Sequence, residues 1–325
     1  MVLRILRSNP ILLLVFTILA GVGIWLWIGI LPAKTTDYKW NVFFLNDFWA
    51  WMTRFHLFSA IFGAILVLAE AFIWNSFVNS NSLLKQSAYF PAFMFILLAS
   101  CRGSLICFYP ALIAVLFLML AIRRLAAGYK KDKALSEVFD AGLFIGIASL
   151  FYIPLVVFIV FLWIAILTIR SLIWREWVAA LIGFALPFAF MLAYHYIFYA
   201  PAPFWSTKLS VVTSNYRTHW SFSWEEWVLL IAIVGTSIAS FWLFINKVSD
   251  NVVKAQKIWA LMLWFVFFAL VSVAISPQRD ARSLVILVLP VSFIFSNYFL
   301  KAKSAIWSEF LFLCVIVTIG ISLFF

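Results

Sequence analysis

FDAGLFIGIASLFYIPLVVFIVFLWIAILTIR, Phe139 to Arg170, carries no charged residue between Asp140 and its last position. Its apolarity is continuous and lacks the strict alternation of a half-buried strand. Lipid offers no water to backbone N–H and C=O groups, so a run of this kind reads as helix. Tyr152-Ile153-Pro154 interrupts it, because proline removes a helical hydrogen bond and clashes with the preceding turn. The stretch suits two short tilted spans or one long kinked one, and both remain open on sequence grounds.

The same pattern fills the chain. It is 66% hydrophobic and 11% charged, against about 45–50% and about 25% in soluble domains. The expectation is an all-α, polytopic integral membrane bundle, one transmembrane domain over 1–325 with about 11 helices (10–12). The spans fall near 11–31, 57–78, 87–101, 105–122, 138–152, 154–170, 177–198, 225–245, 257–275, 283–300 and 304–324. The first run follows MVLRILRSNP, ends at Leu31-Pro32 and has no small-x-small cleavage site, so it is read as a retained span.

The net charge of +11 maps onto the connections that orient the helices, so no nucleic-acid partner is expected. With the N-terminus inside, most Lys and Arg residues fall on the inner side, including Arg123, Arg124, Lys130, Lys131, Lys133, Arg170, Arg175, Lys254 and Lys257. The outer side receives Lys34, Lys39, Arg54, Arg102, Lys208, Arg217, Arg279 and Arg282. That majority predicts a cytoplasmic N-terminus and a periplasmic C-terminus in a bacterial inner membrane. RRLAAGYKKDK reads as a topology anchor able to touch anionic lipids, and WREW at Trp174–Trp177 as an interfacial anchor. Cys101, Cys107 and Cys314 have no CxxC or Cys/His spacing and read as small core residues. No nucleotide-binding loop or metal motif occurs in the sequence, and no cofactor is expected.

Two outer loops hold the candidate site residues. Residues 32–56 carry Asp37, Asp47, Arg54 and His56 among aromatics that suit a helix lying in the interface, as surface anchors do. Residues 199–224 carry Lys208, Arg217 and His219, and Glu225-Glu226 follow Ser223 as a helix start would. Arg102 lies in a turn on the same side, and SPQRDARS, Ser276–Ser283, adds Arg279 and Arg282 with Asp280 close enough to pair with either. Arg102, Arg217, Arg279 and Arg282 would converge on a phosphate or carboxylate, which guanidinium forks bind bidentately. The competing role is contact with lipid headgroups. Glu70, about two-thirds of the way through span two, is an intramembrane ionisable group and therefore a functional candidate. Its structural alternative is a neutral acid bonded to a neighbouring helix.

The order AIRRLAAG…KALSEVFDAGLFIGIASLFYIPLVVFIVFLWIAILTIRSLIWREWVAALIGF resembles an uncharacterised family of multi-pass inner-membrane proteins of Gram-negative bacteria. More distantly, the layout resembles the C-type (GT-C) membrane glycosyltransferases. The likeness rests on an acid-bearing outer loop after the first span, the broken apolar segment DAGLFIGIASLFYIP, and the arginine-led RSLVILVLPVSFIFSNYFL. The resemblance implies a polyprenyl-phosphate-linked sugar held at the outer face. Asp37 or Asp47 would then act as base toward an acceptor hydroxyl, and Arg102, Arg279 and Arg282 would hold the phosphate. No DxD or ExD pair is present, which is a departure from that pattern. Two other readings stand beside it: a transporter or flippase of an anionic lipid-linked substrate, and a structural or assembly subunit of a cell-envelope complex. A small-residue face at Gly142, Gly146 and Ser149 would serve the last of these.

Overall fold

The structure is a computed structural model and describes residues 9–30, 48–49, 51–52, 55–84, 89–101, 106–131, 133–170, 173–198, 227, 231, 234–236, 253–276, 281–301 and 305–324. The order is α1 (Pro10–Ile30), α2 (His56–Ser80), α3 (Phe90–Ala99), α4 (Pro110–Ala127), α5 (Leu135–Phe151), α6 (Phe158–Ile169), α7 (Trp174–Phe198), α8 (Val253–Ile275), α9 (Val285–Lys301) and α10 (Ala305–Phe324). Short 3-10 segments, Ile153–Val157 and Ala281–Leu284, precede α6 and α9. Among the described residues, seven helices are long and apolar enough to cross a membrane, and α3 and Ile153–Ile169 are shorter apolar helices. Most of the sequence-predicted span at 225–245 lies outside the described residues.

Helix starts follow local chemistry. Proline stands in the first turn of α3 and of α4, where its missing N–H costs no hydrogen bond. Polar side chains within the helices return their protons to the backbone, as lipid requires. The hydroxyls of Thr17, Ser149, Ser296 and Thr318 donate to carbonyls one turn back at 2.6–2.8 Å.

Burial sorts the helices into centre and rim. Every residue of α3 is buried, and 78% of the apolar window of α9 is buried against 17% for α7. α3 and α9 therefore form the centre, packed on each other and on α2 and α4. α1, α7 and α10 turn exposed faces such as Leu19, Trp27, Ile182, Phe190 and Val317 outward, as lipid-facing helices do.

Glycines set the two closest helix approaches. A Cβ on Gly142 would lie 2.3 Å from the Ala180 carbonyl oxygen, one on Gly146 2.5 Å from that of Phe184, and one on Gly183 2.3 Å from that of Phe139. The small-residue face of α5 is thus filled by α7. At the other contact, Gly63 of α2 lies under the ring of Trp25 in α1, whose indole N–H donates to Ser100 Oγ at 2.8 Å.

The open question at Tyr152-Ile153-Pro154 is settled by the ends of the two halves. Arg170, just past α6, donates from Nη1 to the Gly128 carbonyl at 2.6 Å, so α6 ends where α4 ends and α5 is about to begin. The break is the bend of a hairpin, and α5 and α6 are antiparallel. A single long kinked helix is excluded.

Candidate functional site

Two polar groupings interrupt the apolar bundle, one at each end. At the first end, α2, α4 and α9 begin. The Phe108 N–H donates to Ser59 Oγ at 2.8 Å, tying the α3–α4 connection to the first turns of α2. Trp49 stacks on Phe108 with ring centroids 5.3 Å apart at 25° and is 1% exposed. Residues 48–49 and 51–52 are helical. Sequence reasoning placed this aromatic segment in the interface as a surface anchor. Trp51 is exposed as expected, but Trp49 is inserted into the bundle. Trp49 follows Asp47 by two positions in the sequence.

Tyr109 comes next, fully buried before Pro110. The Arg282 charge reaches both Cys107 and Tyr109. Burial pushes the Cys107 thiol up, and Arg282 opposes the shift. Burial also pushes the Tyr109 hydroxyl up, Cys107 adds to this, and Arg282 opposes it. Tyr109 is therefore a protonated hydrogen-bond donor at neutral pH. Arg282 is half-buried and near enough for its charge to act on both groups.

Glu70 lies deeper on α2 and is 0% exposed. Its carboxyl faces the backbone of Leu116 in α4, yet neither oxygen has a hydrogen-bond partner of normal geometry. The backbone of α4, a neighbouring helix, is thus what the carboxyl lies against, as its structural alternative expected, with no side chain paired to it among the described residues. Glu70 also reaches Tyr109 electrostatically. Of the expected site residues, the fold thus brings Arg282 and Glu70 around Tyr109. His56 is half-buried at the first position of α2. Asp37, Asp47, Arg102, Arg217, His219 and Arg279 lie outside the described residues. Tyr109 went unnoticed in the sequence, because an aromatic before a helix-starting proline is also what an ordinary interfacial start looks like, and Cys107 reads there only as a small core residue.

The opposite end is a clasp of ion pairs. Arg170 Nη2 and Glu176 Oε1 are 3.1 Å apart with side chains 8% and 1% exposed. Glu176 also accepts from the Ala134 N–H at 3.4 Å. Lys257 donates to the Ile169 carbonyl at 2.9 Å and lies over the Tyr129 ring at 5.5 Å. Lys131 pairs with Glu137, and Arg124 with Asp140 at 3.3 Å. This corrects the reading of WREW as only an interfacial anchor: Trp174 is exposed, while Glu176 is a buried partner and Trp177 stacks on Trp163 at 5.5 Å. The paired charges join the ends of α4, α5, α6, α7 and α8, which is a structural task. The first end, with a cation, a phenol and a buried carboxyl, is the candidate site.

The family model that matches the chain, over residues 11–325, is that of a family of unknown function (DUF6427). No curated protein and no solved structure matches it.

Proposed function

The chain belongs to this DUF6427 family of unknown function, and within it we propose a membrane-embedded transferase of GT-C-like layout, using a polyprenyl-phosphate-linked sugar at the outer face. The observation that supports this reading is the stack of Trp49 on Phe108. It sets Trp49, two residues after Asp47 in the sequence, at the same end of the bundle as Arg282 and Tyr109. In the proposed reaction an acceptor hydroxyl attacks the anomeric carbon of the sugar. Asp47 or Asp37 takes the hydroxyl proton, and the bond to the phosphate oxygen breaks with its electron pair leaving on the lipid phosphate. A carboxylate base is worth about 10²–10⁴-fold in such steps. Arg282, with Arg102, Arg217 and Arg279, would stabilise the charge gathering on the phosphate.

The orientation belongs to the same proposal. Arg123, Arg124, Lys130, Lys131, Lys133, Arg170, Arg175, Lys254 and Lys257 all belong to the clasped end or its connections. The positive-inside rule puts that end in the cytoplasm and Arg282 outside. α7 and α8 both start at the clasped end, so the expected count of eleven crossings, with one between them, keeps its parity. An assembly role loses its sequence argument, because the small face of α5 is occupied by α7.

The test is a transfer assay in membranes with polyprenyl-phosphate-linked sugar, comparing Asp37→Asn, Asp47→Asn, Arg279→Gln and Arg282→Gln at equal protein level. Loss of about 10²-fold or more in one of the aspartate variants is expected, on the scale of a removed general base. Arg282→Gln is expected to weaken retention of polyprenyl phosphate by the purified protein. Four silent substitutions would sink the transferase reading.

A further inference from the structure

Glu70 is not used by the proposed transfer, and its surroundings assign it a task of its own. It is fully buried on a face of α2 that also carries Ser59, eleven residues earlier, or about 16 Å along the helix. Ser59 holds Phe108, so the Phe108-Tyr109 connection caps this face from the end where α4 begins. Toward the opposite end the path is closed by rings. Trp74, one turn further on, stacks on Phe77 at 5.3 Å and meets Phe293 of α9 at 6.5 Å, and Phe293 in turn meets Trp259 of α8 at 4.2 Å.

The ionisable groups around Glu70 are correspondingly one-sided. Within α2 there is His56 at its start; from the α3–α4 connection there are Cys101, Cys107 and Tyr109; from the start of α9 there is Arg282. α1 and α3 contribute none, and α4 and α9 carry Arg123, Arg124, Tyr298 and Lys301 only toward their far ends. A carboxylate in such a place, with no described cation against it and only the α4 backbone beside it, is costly, and the neutral acid is the resting form.

We propose that Glu70 is an intramembrane proton-binding site, exchanging its proton with the end of the bundle where α4 and α9 begin by way of the Tyr109 hydroxyl. In the exchange the phenol oxygen accepts a proton from Glu70 and releases its own toward Arg282 and solvent, and the reverse on reloading. No other bond changes and nothing is oxidised or reduced. Arg282 is the described cation whose charge reaches the same Tyr109 hydroxyl. The inference is independent of the transferase reading, since it needs neither Asp37 nor Asp47.

Infrared difference spectroscopy of the purified full-length chain in lipid nanodiscs, titrated with pH, tests it. A protonated-carboxyl C=O band is expected in the wild-type protein, lost as the pH is raised and absent from Glu70→Gln throughout. Glu70→Asp should keep a shifted band, which separates loss of the proton site from loss of the fold. A wild-type protein whose spectrum equals that of Glu70→Gln, or whose band survives the whole titration, overturns the proposal. After a rapid pH jump, Tyr109→Phe is expected to slow the decay of the band at least tenfold, and an unchanged rate overturns the route through Tyr109.

Discussion

Arg170 and Glu176 make the most consequential side-chain contact at the clasped end. Both are almost fully removed from solvent, so removing one partner leaves a buried charge uncompensated. Arg170→Ala or Glu176→Gln is expected to destabilise the protein by about 3–5 kcal/mol, and the double replacement Arg170→Met/Glu176→Leu by less than either. Unfolding in detergent followed by tryptophan fluorescence measures both. Lys131 and Glu137 behave differently, because Lys131 is half exposed. The Lys131 hydrogen bond holds the Glu137 carboxyl below the ordinary carboxylate value, against the opposing effect of its desolvation. A depressed folded-state value contributes stability that is present at neutral pH and is lost as the pH falls through it. Acid sensitivity of unfolding below about pH 4, where an ordinary glutamate titrates, should therefore shrink in Lys131→Met. None of these pairings was legible in the sequence. Arg170 and Gly128 are 42 positions apart, and spacing along the chain says nothing about which helix ends share a corner.

At the scale of the elements, the closest packing is decided by glycine. α5 and α7 approach until carbonyl oxygens stand where a Cβ would be, and small residues are what permit this approach in helices that have no hydrophobic drive to associate within lipid. Gly142→Ala and Gly183→Ala should each cost about 1–3 kcal/mol, the range for overpacking a formed contact. Gly320→Ala, where nothing lies within 4 Å of the added carbon, should cost nothing and gain up to about 1 kcal/mol from the helix preference of alanine. Thermal midpoints of the three variants in one detergent decide this, and a Gly183→Ala protein as stable as Gly320→Ala would remove the packing argument. The sequence offered Gly142, Gly146 and Ser149 as a small face but not its partner. The break at Pro154 was equally visible, while its consequence, a hairpin, rested on Arg170 reaching back to Gly128.

For the whole molecule, the arrangement predicts sidedness. In a background with Cys101, Cys107 and Cys314 replaced by alanine, Trp51→Cys should react with a membrane-impermeant maleimide on intact cells, and Lys130→Cys only after permeabilisation. The reverse pattern would invert the bundle and move Arg282 away from any outer substrate. Membrane residence, helical class and the approximate helix positions were fixed by the chain itself, because lipid forces every backbone group to be satisfied within its own segment and continuous apolarity can then mean little else. Which helices became the centre was not, since α9 and α7 are alike in apolarity yet one is mostly buried and the other mostly exposed. Nor could the sequence decide that the Arg282 charge reaches Tyr109, that Trp49 leaves the interface for Phe108, or that Glu70 lies against the α4 backbone at Leu116. Those outcomes depend on contacts between segments far apart in the chain, whose geometry is set only when the ten helices among the described residues settle their mutual packing.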